Sequence, residues 1–366
     1  MTWLRYLLVF LPLAFLAEFV LHNAMLVFAF SCIALIPLAG LLGEATEELA
    51  IYTGPQVGGL LNATLGNAAE LIITTVALSQ GKIELVKASI TGSILGNLLL
   101  ILGFSMLLGG LRNGIQSFNI RSVNVAASMM TLAVIGLIVP TLFETLREIQ
   151  IGKLDVYNTN VTDPALNNLS LWVAAILMLL YILSLIFSFQ TTTDDRQAVG
   201  VEDHTNEEEN HKPQWSIKFS VGVLTVSTLF IVVLSEFLVG AVEPVVHSLG
   251  ISELFLGVII IPLVGNVAEH IVGVQVAIKN KMDLSLAISL GSSMQIALFV
   301  APLLVFISLL FGPPMTLFFS LFEVAMLTLS VLLAMITSQD GESNWLEGAQ
   351  LLAVYLIVAL GFFFTR

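Results

Sequence analysis

Gly66-Asn67-Ala68-Ala69-Glu70-Leu71-Ile72 reappears as Gly265-Asn266-Val267-Ala268-Glu269-His270-Ile271, a shift of 199 residues (265 minus 66). At the same offset Lys82, Leu85, Ala88, Gly92, Ser93 and Leu99 recur as Lys281, Leu284, Ala287, Gly291, Ser292 and Leu298. Shared leucines and alanines arise by chance in any apolar chain. A shared Gly-Asn-x-Ala-Glu, followed by a shared lysine and a shared Gly-Ser, does not, so the chain contains an internal duplication.

Both copies lie in a sequence that is 57% apolar and 11% charged, with a mean hydropathy of +0.98. A soluble domain carries about 25% charged residues. The chain therefore reads as an all-α integral membrane protein. A helix needs about 20 apolar residues to cross the hydrocarbon layer. Windows of that kind predict about eleven transmembrane helices, near 3–21, 24–43, 56–80, 88–109, 122–143, 169–190, 217–240, 254–278, 284–310, 317–337 and 347–364. The first is too long for a signal peptide and lacks a clear cleavage site, so it is expected to stay as a helix. The single cysteine, Cys32, excludes an intramolecular disulfide and reads as an apolar packing residue.

The predicted organisation is an extra amino-terminal helix (residues 1–22), a first repeat of helices two to six (23–190), an acidic loop or helix (191–213) and a second repeat of helices seven to eleven (214–366). Five spans per repeat is an odd number, so the second copy must be inverted in the membrane. Inverted repeats are the architecture of many secondary transporters, whose sites lie near mid-membrane where the repeats meet. On the amino-terminal side of this plan lie Arg5, Arg112, Arg121, Arg196, Lys212, Lys218, Lys279 and Lys281. The opposite side has Lys82, Lys87, Arg147, Lys153 and Arg366. That bias predicts a cytoplasmic amino terminus and acidic loop. Much of the net charge of -13 comes from the loop, where between Asp194 and His211 the acids Asp194, Asp195, Glu202, Asp203, Glu207, Glu208 and Glu209 face Arg196 alone, and it excludes nucleic acid as a partner. A like-charge run is ordinarily a solvated linker. In a cation transporter, Glu207, Glu208 and Glu209 would also draw cations toward the mouth, a regulatory role.

Glu70 and Glu269 sit well inside apolar windows. An ionised carboxylate at mid-membrane costs at least about 2.5–3.5 kcal/mol, so it is expected to face a cavity, a partner or a pathway. Asn67 and Asn266 precede them by three residues, on the same face of a continuous helix. Gly66, Gly265 and Pro262 predict kinks or breaks at both motifs, and freed backbone carbonyls would add oxygen ligands. Calcium takes six to eight oxygens in a flexible shell, which suits this mixture. No cluster of soft ligands accompanies it. Ser93 and Asn97, and in the second copy Ser292, Ser293 and Gln295, read equally as ligands, as supports behind the ligands, or as packing residues around Gly92 and Gly96. His270 breaks the symmetry with Leu71 and is a candidate proton-binding group. Calcium and protons then compete for the same oxygens, and that competition makes an exchanger. Glu44, Glu47 and Glu243 are placed at helix ends as entrance acids, Glu44 and Glu243 at the repeat offset; solvated helix ends are the simpler reading of them. Glu323 is a candidate cavity residue without an evident partner.

At Gly66-Asn-Ala-Ala-Glu70, Gly92-Ser-Ile-Leu-Gly-Asn-Leu-Leu-Leu100, Gly265-Asn-Val-Ala-Glu-His270 and Gly291-Ser-Ser-Met-Gln295 the chain resembles the calcium/proton exchanger family of the cation/calcium antiporter superfamily. The resemblance extends over nearly the whole chain, including the acidic segment and Gly-Glu-Ala-Thr-Glu-Glu at Gly43 to Glu48. It implies that Glu70 and Glu269 bind cation and protons alternately while the two halves support alternating access. The expected partners are calcium, with manganese as a further candidate, protons and the lipid bilayer; no cofactor is implied, and a homo-oligomer is compatible with these features. The short amino terminus differs from the long regulatory extension of plant members and implies a prokaryotic form in a bacterial cell membrane. Sodium/calcium exchangers, the nearest rival, typically carry Gly-Ser-x-Pro-Glu instead. A cation channel is a weaker rival. An enzyme is disfavoured, since His-Glu-x-x-His, Gly-x-Ser-x-Gly and Gly-x-x-x-x-Gly-Lys are all missing from the sequence.

Overall fold

The computed structural model describes residues 2–151, 163–190, 213–312 and 314–365. The proposed acidic loop, with Glu207, Glu208 and Glu209, lies outside the described residues. Among the described residues, nine helices are long and apolar enough to cross a membrane. They are α1 (Leu4–Leu21), α2 (Ala24–Thr53), α5 (Ile83–Asn113), α6 (Ile120–Ile151), α7 (Pro164–Gln190), α8 (Ile217–Leu249), α9 (Glu253–Ile278), α10 (Met282–Ser308) and α12 (Trp345–Phe364). The other two expected spans are not single long helices. Residues 56–80 divide into α3 (Pro55–Leu65) and α4 (Ala68–Ser79), and 317–337 becomes an irregular stretch followed by the 17-residue α11 (Leu321–Thr337).

Several helices outrun the apolar windows. Helix α2 continues through Glu44, Glu47 and Glu48 to Thr53, and α8 continues past Glu243 to Leu249. Hydropathy marks where the hydrocarbon ends, whereas a helix keeps its hydrogen bonds on into water. These acids therefore lie within helices and do not terminate them.

Outward-facing positions are apolar, as at Trp172, Leu229, Ile357 and Leu360, while Ser31, Glu70, Asn97 and Ser235 are buried. A soluble protein shows the reverse. Polar groups are enclosed here because hydrocarbon offers them no partner.

The inversion of the repeats is visible at their ends. The segment after α5 meets the start of α10, where Gln116 Nε2 donates to Asn280 Oδ1 (2.9 Å) and Asn119 N–H donates to Asp283 Oδ1 (2.7 Å). The segment after α10 meets the beginning of α5, through Lys87. Helices α5 and α10, equivalent by the sequence offset, thus run antiparallel. A two-residue antiparallel ladder, β1 (Gln116–Ser117) with β2 (Glu342–Ser343), joins the loops at the amino-terminal end. Lys82, 3.4 Å from Glu243 and 4.0 Å from Glu253, links the start of α5 to α8 and α9 at the opposite end.

The equivalent helices α2 and α8 pack along one another. Helices α5 and α10 each contain a π turn in equivalent places, Gly96–Ile101 and Ile296–Val300. Gly92 permits the closest crossing: a Cβ there would overlap the Val258 carbonyl and lie 2.6 Å from Pro262 Cγ. The small-residue interface expected around Gly92 is therefore a contact between α5 and α9.

Candidate functional site

The first motif breaks its helix. Asn67 leaves the helical region (φ -96°, ψ 23°), so α3 ends at Leu65 and α4 starts at Ala68. Glu70 falls in the first turn of α4, where unpaired N–H groups and the helix dipole favour a negative charge. The second motif does not break. Helix α9 runs unbroken from Ile261 to Ile278 through Gly265 and Asn266, with its irregularity upstream, in the π turn Leu256–Ile260. Of the kinks or breaks expected at both motifs, a break is present at the first copy. Pro262 lies inside α9 just after the π turn, where it offers no amide donor to the turn before it.

The four motif segments converge where the repeats meet. Asn67 Nδ2 donates to Gln295 Oε1 (2.6 Å), and Asn67 Oδ1 accepts from Ser292 Oγ (3.1 Å). Asn97 Nδ2 donates to the same Ser292 hydroxyl (3.0 Å). On the other side Asn266 Nδ2 contacts Ser93 Oγ (3.2 Å) and Glu70 Oε1 (3.4 Å) as a donor. The pairs Asn67–Ser292 and Asn266–Ser93 are equivalent under the offset of 199 (67 to 266, 93 to 292). The duplication thus survives as a two-fold pattern of amide–hydroxyl bonds, each crossing from one repeat to the other.

Glu70 is 3% exposed and interacts electrostatically with Glu269. Its Oε2 is buried without a hydrogen-bond partner among the described residues, as are Asn97 Oδ1 and His270 Nε2. Buried polar atoms are nearly always satisfied, so Glu70 Oε2 and Asn97 Oδ1 hold bonding capacity that the described residues do not use. A cavity of about 320 Å³ leads to this cluster. Arg5, Glu44 and Glu47 line it near the amino-terminal end, and Gly66, Gly265, Glu269, Ser292 and Gln295 line its inner part. Glu269 therefore borders the cavity and Glu70 lies behind it.

The remaining predicted residues are distributed unevenly. Ser293 Oγ donates to the Ser289 carbonyl of its own helix (2.9 Å), turned along its helix and away from the amide–hydroxyl cluster. Glu243 does not line this cavity; it lies at the opposite end beside Lys82. Glu44 is held by Arg5 (2.9 Å) at the mouth. Glu323 caps α11 with Ser320 and accepts a bond from Thr91. Sequence reasoning missed Arg5 and Asn62 as cavity-lining residues and Lys87 as a buried cation. Arg5 and Asn62 carry no repeat partner of like type. Lys87 falls one residue before the expected span 88–109 and reads there as a helix-end charge, whereas the helix begins at Ile83 and encloses it.

Two antiparallel repeats of membrane-crossing helices, joined through a buried carboxylate and amide cluster, define the class of inverted-repeat polytopic membrane proteins. Similarity to known proteins places it more closely. The profile of the family described as "Sodium/calcium exchanger protein" matches residues 23–190 and 219–364, and the chain belongs to that family. It is 44% identical over 366 residues to a Ca(2+)/H(+) antiporter of Aphanothece halophytica, covering 98% of this chain and 95% of that one. It is 41% identical over 353 residues to the Ca(2+)/H(+) antiporter ChaA of Bacillus subtilis, covering 96% of each. The solved structure of native YfkE superposes with a TM-score of 0.81 at 38% identity, over 98% of this chain and 99% of that one.

Proposed function

We propose that the protein is a secondary antiporter that moves calcium in exchange for protons by alternating access, with Glu70 and Glu269 as the shared binding groups. The observation that carries this reading is the buried Glu70 carboxylate, with Oε2 lacking a partner among the described residues, facing Glu269 from the other repeat at the inner end of a cavity. The two carboxylates, Asn97 Oδ1 and water from the cavity supply the hard oxygen set that calcium prefers. When the cation leaves, two carboxylates enclosed together repel one another unless protons return, so the same oxygens serve both ions in turn. Metal binding at such a site releases protons. Asn67, Asn266, Ser93, Ser292 and Gln295 orient the ligands, as hydrogen-bonded groups behind a metal site generally do. His270, with Nε2 buried beside the cluster, is a candidate proton carrier.

The domain reading is 1–22, 23–190, 191–213 and 214–366, with the acidic loop and amino terminus facing the cytoplasm of a bacterial cell. The excess of basic residues on that side, eight against five, supports it. Manganese is the second candidate cargo, since it too prefers oxygen ligands.

The experiment is calcium uptake into proteoliposomes holding purified protein, driven first by an imposed pH gradient and then by a sodium gradient at equal pH. Uptake that needs the pH gradient and ignores sodium is the expected result. Uptake that follows sodium would make the protein a sodium-coupled exchanger. Uptake that runs down voltage with neither gradient would make it a channel.

A further inference from the structure

Lys87 is 1% exposed, on the buried part of a membrane-crossing helix and outside the calcium cluster. An ionisable group so placed is costly and usually functional. Its Nζ donates to the Phe318 carbonyl (2.7 Å) and lies 3.4 Å from Thr316 Oγ1. One turn along α5, Thr91 Oγ1 donates to Glu323 Oε1 (3.0 Å), while Glu323 Oε2 accepts from the Ser320 amide (3.0 Å) and hydroxyl (2.8 Å). Lys87 and Thr91 thus bind α5, which also carries Ser93 and Asn97, to segment 314–320 and to the start of α11. Three further hydroxyls hold that segment: Ser308, Ser170 and Thr141 accept from the amides of Met315, Leu317 and Phe319.

The offset of 199 places segment 314–320 opposite segment 115–121 of the first repeat. Their surroundings differ. Met315 through Ser320 are all buried, at the end of the molecule away from the cavity mouth, whereas Ile115, Ile120 and Arg121 are exposed at the end where the cavity opens. Lys87, Thr91 and Glu323 correspond to Leu286, Leu290 and Asn124. These three side chains therefore have no like-typed counterparts under the offset, and segment 115–121 is held by the Asp283 carboxylate through the Asn119 amide. If the halves exchange conformations to expose the site on the other side, segment 314–320 must leave its place, and the corresponding positions offer no Lys–Thr–Glu set to replace the bonds lost.

We infer that Lys87, Thr91 and Glu323 form a latch that keeps segment 314–320 closed over the face opposite the cavity, favouring the state open at the amino-terminal end. They are positioning residues and not ligands. The inference rests on the alternating-access reading above.

The test uses the full chain in oriented vesicles with Cys32→Ser and a single reporter cysteine, either Leu41→Cys in the cavity or Met315→Cys in the segment, labelled by a membrane-impermeant maleimide. Adding Lys87→Met is expected to raise labelling of the Met315→Cys reporter and lower that of the Leu41→Cys reporter, so that the ratio of the two shifts by about tenfold, as loss of one charge-assisted hydrogen bond implies. Thr91→Val, which keeps the shape and loses the donor, shifts both the same way by less, and it decides the matter if Lys87→Met does not fold. Faster labelling of both reporters means general loosening and overturns the latch. So does unchanged labelling of both variants in a protein whose parent reporters respond oppositely to calcium and to acid. A parent that responds to neither overturns alternating access itself, and the latch with it.

Discussion

Replacing Glu70 with glutamine removes a charge and changes little else. The amide oxygen can still accept from Asn266 Nδ2, which reaches Oε1 at 3.4 Å. The new amide hydrogens take the place of Oε2, which has no partner among the described residues. An unsatisfied buried donor costs about 1–3 kcal/mol. Removing a carboxylate from mid-membrane relieves about 2.5–3.5 kcal/mol. The two nearly cancel, so the melting temperature of Glu70→Gln should stay close to that of the parent. Binding is another matter. Groups behind a metal ligand typically change affinity by about 10- to 100-fold when altered; losing a ligand carboxylate should exceed that, leaving Glu269 alone to balance a doubly charged ion. The amide also mimics the protonated carboxyl and cannot release a proton. Calcium affinity by titration calorimetry should fall by more than about 100-fold, and exchange in proteoliposomes should be undetectable. A folded Glu70→Gln with affinity and exchange within about threefold of the parent, less than 0.7 kcal/mol, would refute the assignment of Glu70.

Other consequences are as direct. Since calcium must find deprotonated oxygens, its apparent KM should rise as pH falls on the side from which it loads, and each calcium bound should release protons that a weakly buffered calorimeter detects; a KM flat between pH 6 and 8.5 would contradict competition at one site. Gly92→Ala forces a methyl group into the Val258 carbonyl and Pro262, an overpacking that should cost about 1–3 kcal/mol or more and lower the melting temperature, whereas Gly96→Ala meets only His270 Cε1 at 4.0 Å and should be tolerated. Double-mutant cycles on Asn67–Ser292 and Asn266–Ser93, read as calcium affinity, should each give coupling of about 0.5–3 kcal/mol, and additive effects would show that the hydrogen bonds do not act as units. Glu243→Gln, at an exposed ion pair with Lys82 away from the cavity, should alter stability by less than about 1 kcal/mol and leave the calcium KM measured from the amino-terminal side unchanged.

How much of this was legible beforehand depends on what each residue had to signal. Glu70 and Glu269 were legible because a carboxylate in an apolar window has few innocent explanations, and because the duplication named them twice. The partners Asn67, Asn266, Ser93 and Ser292 were legible as a set, but which amide meets which hydroxyl was not, since that depends on how two helices 200 residues apart cross. The break at Asn67 and the continuity at Asn266 illustrate a different limit. Both carry the same Gly-Asn, yet the helix breaks at Asn67 and continues through Asn266, so the local sequence alone does not set the break. Two spans looked like long helices because hydropathy does not distinguish a helix from a buried irregular segment such as 314–320, three of whose amides, at Met315, Leu317 and Phe319, donate to hydroxyls.

Two departures from symmetry at the site are best understood as one. The offset pairs Leu71 with His270 and Gly96 with Gln295. On one side of the pseudo-two-fold the imidazole of His270 lies over Gly96, in space where a longer side chain at that position would have to go. On the other side Gln295 fills the corresponding room and accepts a 2.6 Å bond from Asn67. The glutamine therefore occupies the amide of Asn67, while Asn266, with only a glycine at the equivalent place, has its amide left to reach Ser93 and Glu70. The two glutamates are thereby made unequal: Glu70 is buried and steadied by an amide from the other repeat, and Glu269 lies at the cavity wall beside the histidine. A symmetric pair would offer a proton and a calcium ion two identical carboxylates. This pair has an inner carboxylate and an outer one, with Glu269 bordering the cavity and Glu70 behind it, so on the antiporter reading proposed above an ion arriving through the cavity would meet Glu269 first.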